Sequence, residues 1–214
     1  MRDFIAKQNA LCYIILKMTN RSLYEREFAV VGHMDRISAN GKEYSILKLL
    51  GKGKGGYSYL ALDGDRKVVL KQIHHEPCDY YAFGNKIEAE INDYHRLQSI
   101  GIPMPQLIDV DIQHERIVKE YIDGKTAYEM VLRDVLPPDC IDQVRKMCAR
   151  LYSANTNIDY FPTNFVLQDG KLYYIDYECN DYMEQWNFEN WGIKYWSKTP
   201  DFLEYVKHHS QQNL

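Results

Sequence analysis

The sequence predicts an α+β protein in which an antiparallel sheet precedes a small, mainly helical region. The pairs Asn40-Gly41 and Asp63-Gly64 are turn signals between apolar segments of strand character. Ile87, Ile91, Tyr94 and Leu97 recur at intervals of four, three and three, which is one face of an amphipathic helix. Ile141, Val144, Cys148 and Leu151 mark a second such face further on. The chain divides accordingly into a helical extension at 1–39, a sheet with one helix at 40–122, and the helical region at 123–214.

Element by element, Phe4, Ile5, Leu11, Cys12, Ile15 and Met18 give the first 30 or so residues helical spacing. The apolar run "ALCYIIL" within them is too short to cross a bilayer, and no small-residue cleavage region follows it. Tyr44, Ile46 and Leu49 then switch to the strand period, and a glycine-rich stretch leads into a hairpin that ends near Ile73. The helix of 84–99 stops at Gly101 and Pro103. "LIDVDIQHERIVKEYIDG" reads as another antiparallel pair, "TAYEMVLRDVL" and "PDCIDQVRKMCARLYSAN" as helices, and "NFVLQDGKLYYIDYE" as strand, turn, strand. The aromatic tail reads as helical, with Trp186, Trp191 and Trp196 closing a small core rather than forming ligand platforms.

Composition bounds the function. A chain of 214 residues with 45% hydrophobic and 26% charged side chains is that of a soluble globular protein. With 30 acidic against 26 basic groups, the net charge of −4 gives no general attraction to nucleic acid or anionic membrane. Cys12, Cys78, Cys140, Cys148 and Cys179 are widely scattered, without the paired spacing of a zinc or dithiol site, which fits a reducing, cytoplasmic setting. There is no internal repeat.

Three segments could carry chemistry. In "LLGKGKGGYSYLA" the glycines let backbone approach a ligand closely, yet the stretch also matches a surface turn. It lacks the terminal Gly-Lys-Ser/Thr of a nucleoside-triphosphatase loop, and a strand rather than a helix follows, so a flap over phosphates fits better than a dinucleotide site. Lys71 ends the apolar "VVLK"; it is either an edge-strand lysine reaching water or the partner of a carboxylate such as Glu90 on the next helix. In "NIDYFPTNFVLQDGKLYYIDYE", Asp159, Asn164 and Asp176 could meet at one strand-loop edge. Asn164 and Asp176 offer the hard oxygens that magnesium prefers, and Asp159 a carboxylate for a hydroxyl proton. Singly, each also reads as a turn cap or a solvated surface group.

As an ordered set, Gly51, Gly53, Gly56 and Ala61, then Lys71, Glu90, "KEYIDG", Asp159, Asn164 and Asp176 resemble the protein-kinase-like superfamily. The small size and "GIPMP" resemble compact atypical serine/threonine kinases and lipopolysaccharide or other small-molecule kinases. The resemblance implies a reduced two-lobed protein-kinase-like fold with an antiparallel N-lobe sheet, a small mainly helical C-lobe, and ATP between the lobes. It implies that Gly51, Gly53 and Gly56 cover the phosphates and that Lys71, held by Glu90, contacts them. Glu120 and Ile122 would meet the adenine edge through their backbone, with Leu50, Val69 and Val166 on its faces. Asn164 and Asp176 would bind Mg2+, and Asp159 would orient or deprotonate the acceptor hydroxyl.

The sequence departs from the family pattern at several points. Asn157 and Ile158 stand where His-Arg is usual, Tyr177-Glu178 where Phe-Gly is usual, and Phe161 where lysine or histidine is usual. Ser58 replaces valine under the flap, and Lys119 an apolar residue before the adenine segment. The short run after Asp176 contains no Ala-Pro-Glu and predicts neither a large substrate platform nor a long activation loop. The leading expectation is an ATP- and magnesium-dependent phosphotransferase acting on a hydroxyl of a protein serine or threonine. The alternatives are a small-molecule, sugar or lipid kinase, or a catalytically inactive nucleotide-binding scaffold.

Overall fold

The computed structural model describes residues 35–53, 55–76 and 85–210. The helix expected over the first 30 or so residues lies outside them, as do Cys12 and Cys78. The described chain up to Ile87, with Gln106–Tyr121 and the part from His208, makes one compact unit; Glu88–Pro105 and Ile122–Lys207 make a second.

The first unit is built on six strands: β1 (Arg36–Ala39), β2 (Lys42–Lys52), β3 (Gly56–Asp63), β4 (Arg66–Ile73), β5 (Leu107–Asp111) and β6 (Arg116–Glu120). Every neighbouring pair is antiparallel, in the order β1-β2-β3-β4-β6-β5. The sheet begins at Arg36, ahead of the Asn40-Gly41 turn, because both turn residues adopt left-handed backbone (φ 48° and 77°) and so close a tight hairpin. Alternation buries Ala39, Tyr44, Ile46, Ala61, Val68, Leu70 and Val118 together on one face. Burial of each large apolar side chain there contributes about 1.5–3 kcal/mol.

The two edges of this sheet approach each other. Asn40 N donates to Asp111 Oδ2 at 2.8 Å, Asn40 Nδ2 donates to Asp109 Oδ1 at 2.8 Å, and Arg116 donates to the Ser38 carbonyl. Asp111 is buried and also accepts from His114 N at 3.0 Å. The Asn40 N–H, with help from the His114 ring and backbone, holds its carboxyl down to about 2.

The second unit mixes helix and strand, where a mainly helical region was expected. It holds α1 (Lys86–Ile100) from Glu88 onward, β7 (Lys125–Thr126), α2 (Ala127–Leu132), α3 (Asp139–Ser153), β8 (Thr156–Ile158), β9 (Phe165–Gln168), β10 (Lys171–Tyr174), β11 (Cys179–Asp181) and most of α4 (Pro200–Ser210). β10-β9-β7 and β11-β8 form two small sheets. β9 and β10 are the strand, turn, strand expected about Asp169-Gly170, where "FVL" and "LYY" favour strand; the short β7, β8 and β11 were not expected, and left-handed Asn155 falls between α3 and β8. α2 opens on a capping box between Thr126 and Glu129. It stops at Leu132, short of the expected end, and Asp134 turns left-handed at φ 60°.

α3 lays Cys140, Val144, Met147, Cys148 and Leu151 into a core shared with Tyr160, Phe165, Leu172, Tyr174, Phe188 and Trp196. Trp196 is a core residue, as expected, and its Nε1 donates to the Tyr160 carbonyl at 2.8 Å. The aromatic tail is less regular than expected: short 3-10 turns at Glu184–Trp186 and Gly192–Tyr195 precede α4. Among the described residues no helix is long and apolar enough to cross a membrane.

Candidate active site

The glycine turn joins β2 to β3, and Gly53 N donates to Gly56 O across it at 2.9 Å. The strand pairing skips from Leu49 to Gly51, so Leu50 is the extra residue of a bulge; bulges re-aim side chains where a strand meets a site. Gly56 pairs with Ile73, and a Cβ there would lie 2.4 Å from the Gln72 carbonyl oxygen, so only glycine lets β3 and β4 come this close. At Gly55 a Cβ would lie 3.7 Å from Lys71 Nζ, which puts the lysine ammonium directly against the turn.

Lys71 pairs with Ser58 on β3 and with Ile117 on β6. β4 is therefore an interior strand, and the edge-strand reading of Lys71 gives way. Val69, paired with Leu60 and Lys119, shares the face of Lys71, opposite the apolar cluster of Val68 and Leu70. Val69, Leu60 and Lys119 are all buried. At the end of β6, Glu120 N already donates to Gln106 O at 2.9 Å, and Glu120 Oε2 accepts from Gln106 N at 3.1 Å. Of Glu120's backbone, the carbonyl is thus the group suited to meet a ligand.

Within the second unit, Asp159, Asn164 and Asp176 belong to one hydrogen-bonded loop. Asn164 is 2% exposed, and its Nδ2 donates to the Asp159 carbonyl at 3.3 Å, which leaves Oδ1 as the amide's acceptor atom. Its own carbonyl accepts from Ile175 N at 2.8 Å, tying the turn to the residue before Asp176. Asp176 Oδ1 accepts from Tyr177 N at 2.8 Å. Asp159 Oδ1 accepts from Phe161 N at 3.0 Å, so this carboxylate does cap its turn. Val166 follows on β9 and is buried, as is Ile122; Glu90 lies on α1. Among the described residues no group of three or more His, Cys, Asp or Glu is placed to hold a metal, so a cation at Asn164 and Asp176 would draw its remaining ligands from water and phosphate.

The departures from the family pattern have structural partners. Tyr177 packs its ring 4.8 Å from that of Tyr94 and donates its hydroxyl to the Pro105 carbonyl at 2.8 Å. Asn157 Nδ2 donates to the Met183 carbonyl at 2.9 Å. Phe161 is clasped by Tyr195 and Tyr205, with ring centroids at 5.0 and 4.8 Å. Burial pushes the thiols of Cys140 and Cys148 up to about 11 and that of Cys179 to about 12, so these three stay protonated. One residue the sequence did not reveal sits at the glycine turn: His74 Nε2 lies 2.9 Å from Gly53 O. The two are 21 positions apart, and no local signal links them.

No family-wide sequence model matches the chain. It is 27% identical over 172 residues to the "Probable serine/threonine-protein kinase mps1" of Dictyostelium discoideum, covering 72% of this chain and 17% of that protein. It is 31% identical over 144 residues to the "Probable bifunctional tRNA threonylcarbamoyladenosine biosynthesis protein" of Methanocaldococcus jannaschii, covering 64% of this chain and 26% of the relative. With the "KEOPS complex subunit Bud32" of Pyrococcus abyssi it shares 29% identity over 147 residues, 61% of this chain and 66% of that one. The chain therefore spans only about a sixth of the first of these relatives and about a quarter of the second. Together with the antiparallel sheet, these distant similarities support the protein-kinase-like superfamily and single out no subfamily within it.

Proposed function

We propose, from this distant kinship, that the protein is an ATP- and magnesium-dependent phosphotransferase acting on a hydroxyl. The observation that carries the reading is the Asp159–Asn164–Asp176 loop, in which an amide and a carboxylate suited to magnesium share one hydrogen-bonded frame with a second carboxylate. Within the first unit, Lys71 against the glycine turn also suits a phosphate ligand, since an ammonium beside unobstructed backbone matches phosphate oxygens.

In this reading Gly51, Gly53 and Gly56 cover the phosphates, and Lys71 contacts them, with Glu90 proposed as the acid that orients its ammonium. Leu50, Val69 and Val166 line the adenine, while the Glu120 carbonyl and the Ile122 backbone meet its polar edge. Asn164 Oδ1 and Asp176 would hold magnesium, which when bound supplies positive charge to the phosphate oxygens. Asp159 orients the acceptor hydroxyl and accepts its proton late. A protein serine or threonine is the proposed acceptor, in line with the name of the Dictyostelium relative. The test is transfer from radiolabelled ATP to panels of proteins and of small hydroxyl compounds, run with ATP binding measured separately. Label on protein hydroxyls supports the reading, label on a metabolite replaces the acceptor, and tight binding without any turnover would indicate a scaffold.

A further inference from the structure

We propose that His74 is a positioning residue for the nucleotide's phosphates, acting through the backbone of the glycine turn. This rests on the nucleotide-binding reading of that turn. β4 ends at Ile73, and the next three residues run back against the β2–β3 hairpin as a strap. His74 Nε2 lies 2.9 Å from Gly53 O, and His74 N donates to Gly55 O at 3.4 Å. On the other side of the ring, Glu76 N donates to Nδ1 at 3.2 Å. A backbone N–H can only donate, so Nδ1 is the acceptor and the ring proton sits on Nε2, where it is given to Gly53 O.

Glu76 fastens the far end of the strap. Its Oε2 lies 2.5 Å from Lys52 Nζ on β2, and its Oε1 accepts from the Tyr57 hydroxyl on β3 at 2.5 Å. The Tyr57 ring stands 5.2 Å from the imidazole, and Lys86 Nζ on α1 donates to the His74 carbonyl at 2.5 Å. Both hairpin strands are therefore gripped from one side.

The grip has a consequence for an anionic ligand. Glycine backbone has the most conformational freedom to lose, so an unrestrained turn would present its carbonyls as readily as its N–H groups. Phosphate is bound by N–H donors and repelled by carbonyl oxygens. With the Gly53 and Gly55 carbonyls committed to His74, they are withheld from the phosphates, while the Lys71 ammonium stays beside Gly55.

The strap requires a neutral imidazole, because protonation would set an Nδ1–H against the Glu76 N–H. Burial lowers the pKa of His74 from the ordinary value of 6.5; the Gly53 carbonyl and Glu76 oppose that shift, and Lys86 and Lys52 reinforce it. Tyr57 and the ammonium beside Gly55 are the other titratable groups at the turn. A histidine held neutral by the fold keeps its contribution above its unfolded pKa and loses it as pH falls through the lower folded one.

The test compares wild type, His74→Gln and His74→Leu. Glutamine keeps an N–H donor near the Nε2 position and cannot titrate. Amide exchange at Gly53, Gly55 and Gly56 is measured without nucleotide between about pH 8 and about pH 5, corrected for intrinsic rate, with Mg-ATP affinity measured in parallel. Comparison with the glutamine variant cancels the titration of ATP itself. Wild type should lose protection and weaken for ATP about tenfold more than His74→Gln as pH falls, whereas His74→Leu should bind about tenfold more weakly than wild type at pH 8 while its melting temperature falls by only a few degrees. Wild-type protection that ignores pH, or wild-type affinity in His74→Leu, overturns the proposal. Strap protection that follows pH in a protein that binds no Mg-ATP overturns the phosphate role together with the reading it rests on.

Discussion

In the β2–β3 turn the candidate ligand groups are backbone, kept accessible by missing side chains and held from behind by His74 and Glu76. In the 159–176 loop they are side chains, and each bonds the backbone next to it: Asp159 to Phe161 N, Asn164 to the Asp159 carbonyl, Asp176 to Tyr177 N. On the proposed reading the first arrangement would be sensitive to added bulk and to the protonation of one imidazole, and the second would tolerate bulk-neutral changes but not the loss of a charge. A turn made of glycine needs outside support, because it has no side chains with which to brace itself. A loop rich in Asp and Asn braces itself.

The sharpest way to break this contrast is at Asp176. Asp176→Ala should lower phosphoryl transfer by about a thousandfold or more, while the lost Tyr177 hydrogen bond costs the fold only about 1 kcal/mol. Steady-state transfer beside thermal denaturation separates the two, and normal turnover in the folded variant removes Asp176 from the site.

The two glycine substitutions should divide. Gly56→Ala drives a Cβ toward the Gln72 carbonyl oxygen and should cost roughly 1–3 kcal/mol in urea denaturation. Gly55→Ala meets Lys71 Nζ at an ordinary contact distance, so stability should change by less than about 0.5 kcal/mol while ATP affinity falls. Equal stability losses at the two positions would mean that the turn is only a structural hairpin.

A smaller effect separates the His74 strap from the rest of its unit. Asp111, held down to about 2, contributes stability that is fully present above the ordinary carboxylate value of 3.8 and is lost as pH falls toward 2. Asp111→Asn should lower the urea midpoint at neutral pH, and the gap to wild type should close through that acid window. A gap that persists through that window would mean that the Asp111 carboxylate does not hold the two sheet edges together. Smallest of all, Tyr177→Phe removes one buried hydroxyl bond to Pro105 and should cost about 1 kcal/mol, read by denaturation, with ATP affinity unchanged.

Much of the sheet was legible because its punctuation is local. Asn40-Gly41, Asp63-Gly64 and Asp169-Gly170 announce turns, and Asn40, Gly41, Gly64, Asp169 and Gly170 all take left-handed backbone. The face of α1 could be read from Ile87, Tyr94 and Leu97, which are buried. The tail misled, because aromatic residues such as Trp186 and Tyr195 pack equally well from 3-10 turns and from helix. Of the candidate site, glycines, one lysine and three oxygen-bearing side chains were visible as residue types in order. The supports were not. His74 reaches Gly53, Tyr177 reaches Pro105 and Arg116 reaches Ser38 across long sequence gaps, and such pairings exist only once the chain has folded.

The central claim is that the protein binds ATP through magnesium held by Asn164 and Asp176. Calorimetric titration of ATP into the full chain, with magnesium and then with excess chelator, tests it most directly. The account predicts saturable binding with magnesium and a loss of at least about tenfold in affinity without it. Binding of equal strength in chelator, or none at millimolar ATP with magnesium present, would contradict it.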